Sequence, residues 1–212
     1  MHSLFDMNSP LMNGLGKIFD TILLSLCWIS GCLPIVTIGT SCGALYRTVY
    51  RCLRKDDGYP LKTFWDTYRK NLKNGIITWL PILALFVFLI VDAIVLRGLV
   101  TEGKPVARFL GIIVVLSGVA SVWAAYCTAY CVRFEGSLKE ILWLNFFLVL
   151  SHPLMSVVIM LFIAMGTALA LMVPFMALFL PAAVCLAISY PMESVFLKHM
   201  HPEDIEKVQN GQ

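Results

Sequence analysis

CGALYRTVYRCLRKDDGYPLKTFWDTYRKNLKNG, residues 42–75, is the one long polar interval in an otherwise apolar chain. It carries eight of the sixteen Lys and Arg residues, namely Arg47, Arg51, Arg54, Lys55, Lys62, Arg69, Lys70 and Lys73, against Asp56, Asp57 and Asp66. Short basic connections between apolar runs resist translocation and sit against an anionic leaflet, so they mark the cytoplasmic side of a membrane. This interval is therefore expected to face the cytoplasm, and the apolar runs on either side of it are expected to be membrane spans.

The composition points the same way. Of 212 residues, 59% are hydrophobic and 14% charged, with a mean hydropathy of +0.82. An ordinary globular domain has about 45–50% apolar and roughly 25% charged residues. The pattern predicts an all-α polytopic membrane protein with about five transmembrane helices plus interfacial amphipathic helices, forming a single integral membrane domain over 1–212. No basic start, short apolar core and small-residue cleavage site precedes residue 17, so the first apolar run reads as a retained span and not as a signal peptide. The seven cysteines lie in or beside apolar runs, which argues against a disulfide framework. The net charge of +3 comes from the basic interval and suits membrane lipids; no soluble basic domain is present to engage nucleic acid.

Working outward, residues 17–38 are apolar apart from Lys17 and Asp20 and are long enough for one crossing at roughly 20 residues per span. Residues 41–55 place their arginines on one helical face and continue that span as an amphipathic segment. The Gly58-Tyr59-Pro60 turn leads to a second amphipathic helix over 61–75, with Leu61, Phe64, Trp65, Tyr68 and Leu72 on one stripe. That stripe is expected to lie down on the membrane interface. Further spans are expected at 76–97, 108–132, 154–173 and 175–195, with an interfacial helix at 137–151; the division of the last part rests on prolines, because Ile141 to Met192 runs 52 residues without Asp, Glu, Lys or Arg. Five spans with a cytoplasmic basic interval place the N-terminus outside and the C-terminus in the cytoplasm.

A weak internal repeat accompanies this division. Tyr46, Tyr50 and Arg51, then Leu61, Lys62 and Trp65, correspond to Tyr126, Tyr130 and Arg133, then Leu138, Lys139 and Trp143. A parallel repeat of this kind occurs in some transporters, although Tyr, Trp and Arg gather at membrane interfaces for other reasons as well.

At Pro34-Ile-Val-Thr-Ile-Gly39, followed by Ala44-Leu45-Tyr46 and by Phe64-Trp65 to Lys70-Asn71, the chain resembles the YesL-like family of small bacterial membrane proteins. The resemblance covers most of the chain, and its specific signal is in the first half. It implies a Gram-positive plasma-membrane protein of unassigned activity, whose genes commonly accompany carbohydrate uptake systems. It supplies no catalytic residues.

Candidate sites follow from the charges. Asp20 and Asp92 are acidic residues within expected spans, where an ionisable group costs about 2.5–3.5 kcal/mol at the centre. Each can pair with a neighbour, Lys17 or Arg97, or the two can line a shared polar path. The eight basic residues of the interval are candidates for docking lipid or a partner, including components of a carbohydrate ABC transporter. Cys127 and Cys131 lie one turn apart, but two thiols without further ligands make no metal site; neither a metal nor a cofactor is expected. Phosphate-loop, zinc-helix and nucleophile-elbow signatures are absent, so the expectation is a non-enzymatic protein. Its function reads as an accessory or regulatory component of carbohydrate uptake. The alternatives are a small transporter using Asp20 and Asp92, or a membrane sensor for a signalling kinase. Pro34, Thr37 and Gly39 are expected to form a structural hinge that redirects the chain after the first span.

Overall fold

The computed structural model describes residues 10–101, 107–134 and 136–199. Among these residues the protein is all-helical, with no strand. The order is α1 (Pro10–Gly31), a 3-10 turn at Ile35–Thr37, α2 (Ile38–Thr48) running into a π-helical turn at Val49–Arg54, and α3 (Pro60–Lys70). Then come α4 (Leu72–Thr101), α5 (Ala107–Arg133), α6 (Leu138–Ser151), α7 (Pro153–Met172), a second 3-10 turn at Pro174–Leu178 and α8 (Leu180–His199). Three of these helices, α4, α5 and α7, are long and apolar enough to cross a membrane. The outward residues of these three are large and aliphatic, as lipid contact requires: Val87, Ile94, Val114 and Leu161 are all exposed.

The first expected span is where the structure departs most from the sequence reading. It does not run through 17–38. Helix α1 ends at Gly31, and the chain reverses through Cys32, Leu33 and Pro34 so that α2 packs back along α1. Ser41 Oγ donates to the Trp28 carbonyl at 3.1 Å, while at the opposite end Lys17 Nζ meets Asp56 Oδ1 at 2.8 Å. The two helices thus form a hairpin, and the start of α1 lies at the same end of the molecule as the loop that follows residue 54. That pairing brings the start of α1 to the loop that follows the basic π-helical turn, where the sequence reading has the first span cross from one side to the other. Residues 1–9 themselves lie outside the described residues.

Nor does 41–55 behave as a surface-lying helix. Eight of the eleven residues of α2, from Gly39 to Thr48, are buried. Its small residues explain this: Gly39, Gly43 and Ala44 let other helices approach the backbone closely, the usual basis of helix packing where no water is expelled. A Cβ on Gly43 would stand 2.8 Å from the Thr128 carbonyl oxygen of α5, and one on Gly75 of α4 would stand 2.3 Å from Thr40 Oγ1.

A left-handed turn at Asp56 (φ 52°) and Gly58 (φ 90°) leads to α3, which starts on Pro60. The aromatic stripe of α3 does not face lipid as expected. Phe64 is fully buried, and Trp65 and Tyr68 pack on the core formed by α1, α2, α5 and α8. Stacking within the stripe, with Phe64 and Tyr68 ring centroids 6.1 Å apart, makes it one rigid ridge. The second span begins at Leu72 and not at 76, separated from α3 by the single residue Asn71.

Beyond this point the expected helices at 108–132, 137–151 and 154–173 recur to within a residue or two, whereas the expected span at 175–195 opens on a 3-10 turn at Pro174–Leu178 and its helix, α8, is not among the three of membrane-crossing length and composition. Helix α5 covers the expected 108–132, α7 the expected 154–173, and α6 opens with a capping box in which Ser137 and Glu140 satisfy each other's backbone amides. Pro174 and the 3-10 turn after it separate α7 from α8, and the α8 residue Val184 packs against Gly166 of α7. The two triplets named by the repeat are present in the same order, α2–α3–α4 and α5–α6–α7.

Candidate functional site

The eight basic residues of the interval divide into two groups. Arg47, Arg51 and Arg54 are engaged by the protein itself. Arg47 Nη1 donates to the Val132 carbonyl at 2.7 Å, satisfying one of the carbonyls that α5 leaves open at its C-terminal end. Arg51 Nε meets Asp57 Oδ2 at 2.6 Å, and Arg54 Nη1 donates to the Ser189 carbonyl at 3.1 Å on α8. Lys62, Arg69, Lys70 and Lys73 are exposed, as is Lys55, whose ammonium stands 5.3 Å from the Tyr50 ring centroid. On α3, Lys62 and Arg69 lie two turns apart on the outward side while the ridge of Phe64, Trp65 and Tyr68 holds the opposite side to the core; Lys73 follows the break at Asn71, in the first turn of α4.

At the junction of α2, α5 and α8 lies a buried ionic centre. Arg133 and Glu193 form a close ion pair with each side chain only 7% exposed. Tyr46 Oη donates to the same Glu193 oxygen, Oε1, at 2.8 Å. Burial, opposed by the Arg133 cation and reinforced by the Glu193 carboxylate, holds the Tyr46 phenol well above its ordinary range, so it remains a donor. The Arg133 guanidinium also stands 4.6 Å from the Tyr50 ring centroid, and Arg54 stands 4.1 Å from that of Tyr190. The first of the two tyrosine pairs that marked the repeat, Tyr46 and Tyr50, therefore belongs to this centre. In the sequence Glu193 falls at the end of the last expected span, 175–195, a position that by itself suggests the membrane interface. The signal that pointed inward was its position as the first charge after 52 uncharged residues, matched by Arg133 after an uncharged run of 24 from Phe109 to Val132.

Beside the ionic centre is an apolar cavity of about 470 Å³ among α1, α2, α4, α5, α7 and α8. Trp28, Trp79, Phe86, Ile163 and Met192 are among the residues that line it, and Ser121 and Thr128 are among its few polar points. It can accommodate an apolar chain, but it offers no acid–base pair. Among the described residues no group of three or more His, Cys, Asp or Glu side chains is arranged to hold a metal.

Asp20 and Asp92 are not brought together. Asp20 lies one turn beyond Lys17, at the Asp56 end of the hairpin, whereas Asp92 is thirteen residues beyond Trp79, which itself packs at the start of α2. At 1.5 Å per residue that adds roughly 20 Å of separation along α4. Neither aspartate lines the cavity. The shared polar path expected from the sequence is corrected accordingly.

The segment Pro34, Thr37 and Gly39 occupies the reversal between α1 and α2. The Thr37 hydroxyl is shared between the carbonyls of Gly31 at 2.9 Å and Pro34 at 2.8 Å, groups left open by the break. Gly39 has a helical backbone, and what requires glycine there is space: a Cβ would lie 2.7 Å from Trp79 Cβ. Trp79 Nε1 in turn donates to the Ile35 carbonyl at 3.1 Å, which ties α4 to the turn. Thr40, expected to help satisfy the break, is instead buried without a hydrogen-bond partner for Oγ1. Gly39→Val is expected to lower folded protein and expose residues 47–55 to protease, whereas Thr37→Val costs about 1 kcal/mol. Unchanged abundance and unchanged cleavage in Gly39→Val would show that the close approach to Trp79 is dispensable.

Residues 21–93 match a family model described as a protein of unknown function, DUF624. That match covers the second half of α1 and runs through α2 and α3 into α4, so it takes in the turn of the hairpin, the basic face and the Gly39–Trp79 and Thr40–Gly75 contacts. No curated protein and no solved structure matches the chain.

Proposed function

We propose that the protein is a non-enzymatic, multi-pass cell-membrane protein of the YesL-like type that serves as an accessory or regulatory component of carbohydrate uptake. Its exposed α3 face contacts a cytoplasmic partner. The observation that carries the docking part is the division of the basic residues: Lys62 and Arg69 lie on the outward side of α3, with Lys73 just beyond it in the first turn of α4, while Phe64, Trp65 and Tyr68 anchor the other side of α3. A rigid face with an excess of cations can attract an acidic partner surface without paying to order a loop. The link to carbohydrate uptake comes from the resemblance of the sequence. On this reading the loop at 55–59 is cytoplasmic, which the basic residues around it support through the positive-inside rule. The Lys17–Asp56 pair supports the same side for the start of α1.

The test is recovery of partners after mild detergent extraction, comparing the wild-type chain with a Lys62→Glu, Arg69→Glu, Lys73→Glu variant. These positions are preferable to Arg47 or Arg54, whose side chains hold α5 and α8. Reproducible co-purification of a sugar ABC transporter component with the wild type, reduced at least about tenfold in the variant, is expected. Recovery of no transport component, or equal recovery with both proteins, would sink the reading.

A further inference from the structure

A second, smaller cavity of about 200 Å³ lies between the π-helical turn and α3. Arg47, Arg51 and Lys70 supply three cations to its wall, Asp66 one carboxylate, and Thr63 and Asn71 neutral polar groups. It differs from the outward basic face in being concave and in drawing its charges from three separate elements, α2, the π-helical turn and α3. Arg47 is held in place by its bond to the Val132 carbonyl, and Arg51 by Asp57. Two of the three cations are therefore preorganised by contacts outside the cavity, with further N–H donors of the guanidinium fork remaining to each. Like charges crowd here: burial first, then the Arg51 and Arg133 cations, lower the Arg47 pKa from its ordinary value. A bound anion would relieve that crowding.

We propose that this cavity binds the headgroup of an anionic phospholipid, with Arg47, Arg51 and Lys70 taking the phosphate oxygens and Asp66 accepting from a headgroup hydroxyl. The mixture of charges selects the ligand class. Three cations suit a phosphodiester, while a carboxylate at the same wall opposes a bare phosphate and favours a headgroup that also carries hydroxyls, as the glycerol of phosphatidylglycerol does. Location argues for a lipid over a soluble phosphate. Asn71 lies at the junction of α3 and α4, and the exposed, apolar Leu72 immediately after it begins the membrane-crossing helix. A headgroup in the cavity thus leaves its acyl chains beside an apolar helix surface. The proposal stands apart from partner docking, because it uses the inner wall of the cavity and not the outward row of Lys62, Arg69 and Lys73.

The full chain in a zwitterionic detergent-lipid mixture, titrated with phosphatidylglycerol and read by native mass spectrometry, tests it. Arg51→Gln and Lys70→Gln are each expected to weaken retention about fivefold, the effect of one lost cation near an anionic group. Lys62→Gln with Lys73→Gln, which removes two charges outside the cavity, is the control and should weaken it less than twofold. Equal loss in the control would mean diffuse surface attraction and overturn the cavity assignment. Equal retention of phosphatidylcholine, or displacement of phosphatidylglycerol by an equimolar amount of inorganic phosphate, would overturn the lipid assignment. A circular dichroism melt for each variant confirms that a lost signal is not lost fold.

Discussion

Glu193→Ala is expected to destabilise the protein by on the order of 3–5 kcal/mol, because it leaves the Arg133 guanidinium buried without its counter-ion. The pair joins α5 to α8, and Tyr46 brings α2 to the same carboxylate, so three elements distant in sequence lose their common contact together. Heating the detergent-solubilised protein and following monodispersity by size-exclusion chromatography gives the readout. A second variant separates charge from shape. Arg133→Met with Glu193→Leu removes both charges and keeps much of the volume, and replacing a buried ion pair by packed apolar residues is often neutral or favourable. The double variant should therefore recover most of the stability lost in Glu193→Ala. A double variant as unstable as the single one would show that something other than an uncompensated charge is at work, and a wild-type melting midpoint for Glu193→Ala would remove the centre from the account of stability altogether.

Gly43→Val should be comparably severe by a different route. Its Cβ would lie 2.3 Å from Val132 Cγ2 and 2.8 Å from the Thr128 carbonyl oxygen, both on α5. The valine side chain could rotate, but the Thr128 contact is backbone, so the helices themselves must separate. Overpacking of this kind costs about 1–3 kcal/mol where neighbours can shift and more where they cannot. Separation would also stretch the Arg47 bond to the Val132 carbonyl, which lies one turn along the same contact. Gly111→Ala is the matched control: nothing lies within 4 Å of the position of its Cβ, and alanine is the better helix former by up to about 1 kcal/mol. Melting curves of the two variants should move in opposite directions, or Gly43 alone should fall. Equal midpoints for Gly43→Val and wild type would mean that α2 and α5 do not pack as closely as described.

Much of the architecture was legible in one dimension because the signals that carry it are local. Charge-free runs of helical length marked α5 and α7 within a residue or two, and the helix expected at 137–151 falls on α6. The basic interval and its turn at Asp56 to Pro60 were equally plain. Hydropathy and turn chemistry depend on neighbours a few residues apart, and those neighbours remain neighbours in any fold.

What the sequence determined by itself is therefore the all-helical class, the three membrane-length helices α4, α5 and α7 among the five spans expected, and the grouping of eight cations into one interval. Only the tertiary structure decided that α2 is an interior helix, that α1 and α2 form a hairpin, and that Tyr46, Arg133 and Glu193 share one site. The physical reason is that these outcomes rest on contacts between distant segments. An amphipathic pattern says that one face of a helix is buried, but not whether lipid or protein buries it, and small residues such as Gly39 and Gly43 are silent in a hydropathy profile until a partner backbone is seen against them. Asp20 and Asp92 show the converse: two similar signals in sequence, placed far apart because α1 turns back at Gly31 while α4 continues away from the hairpin.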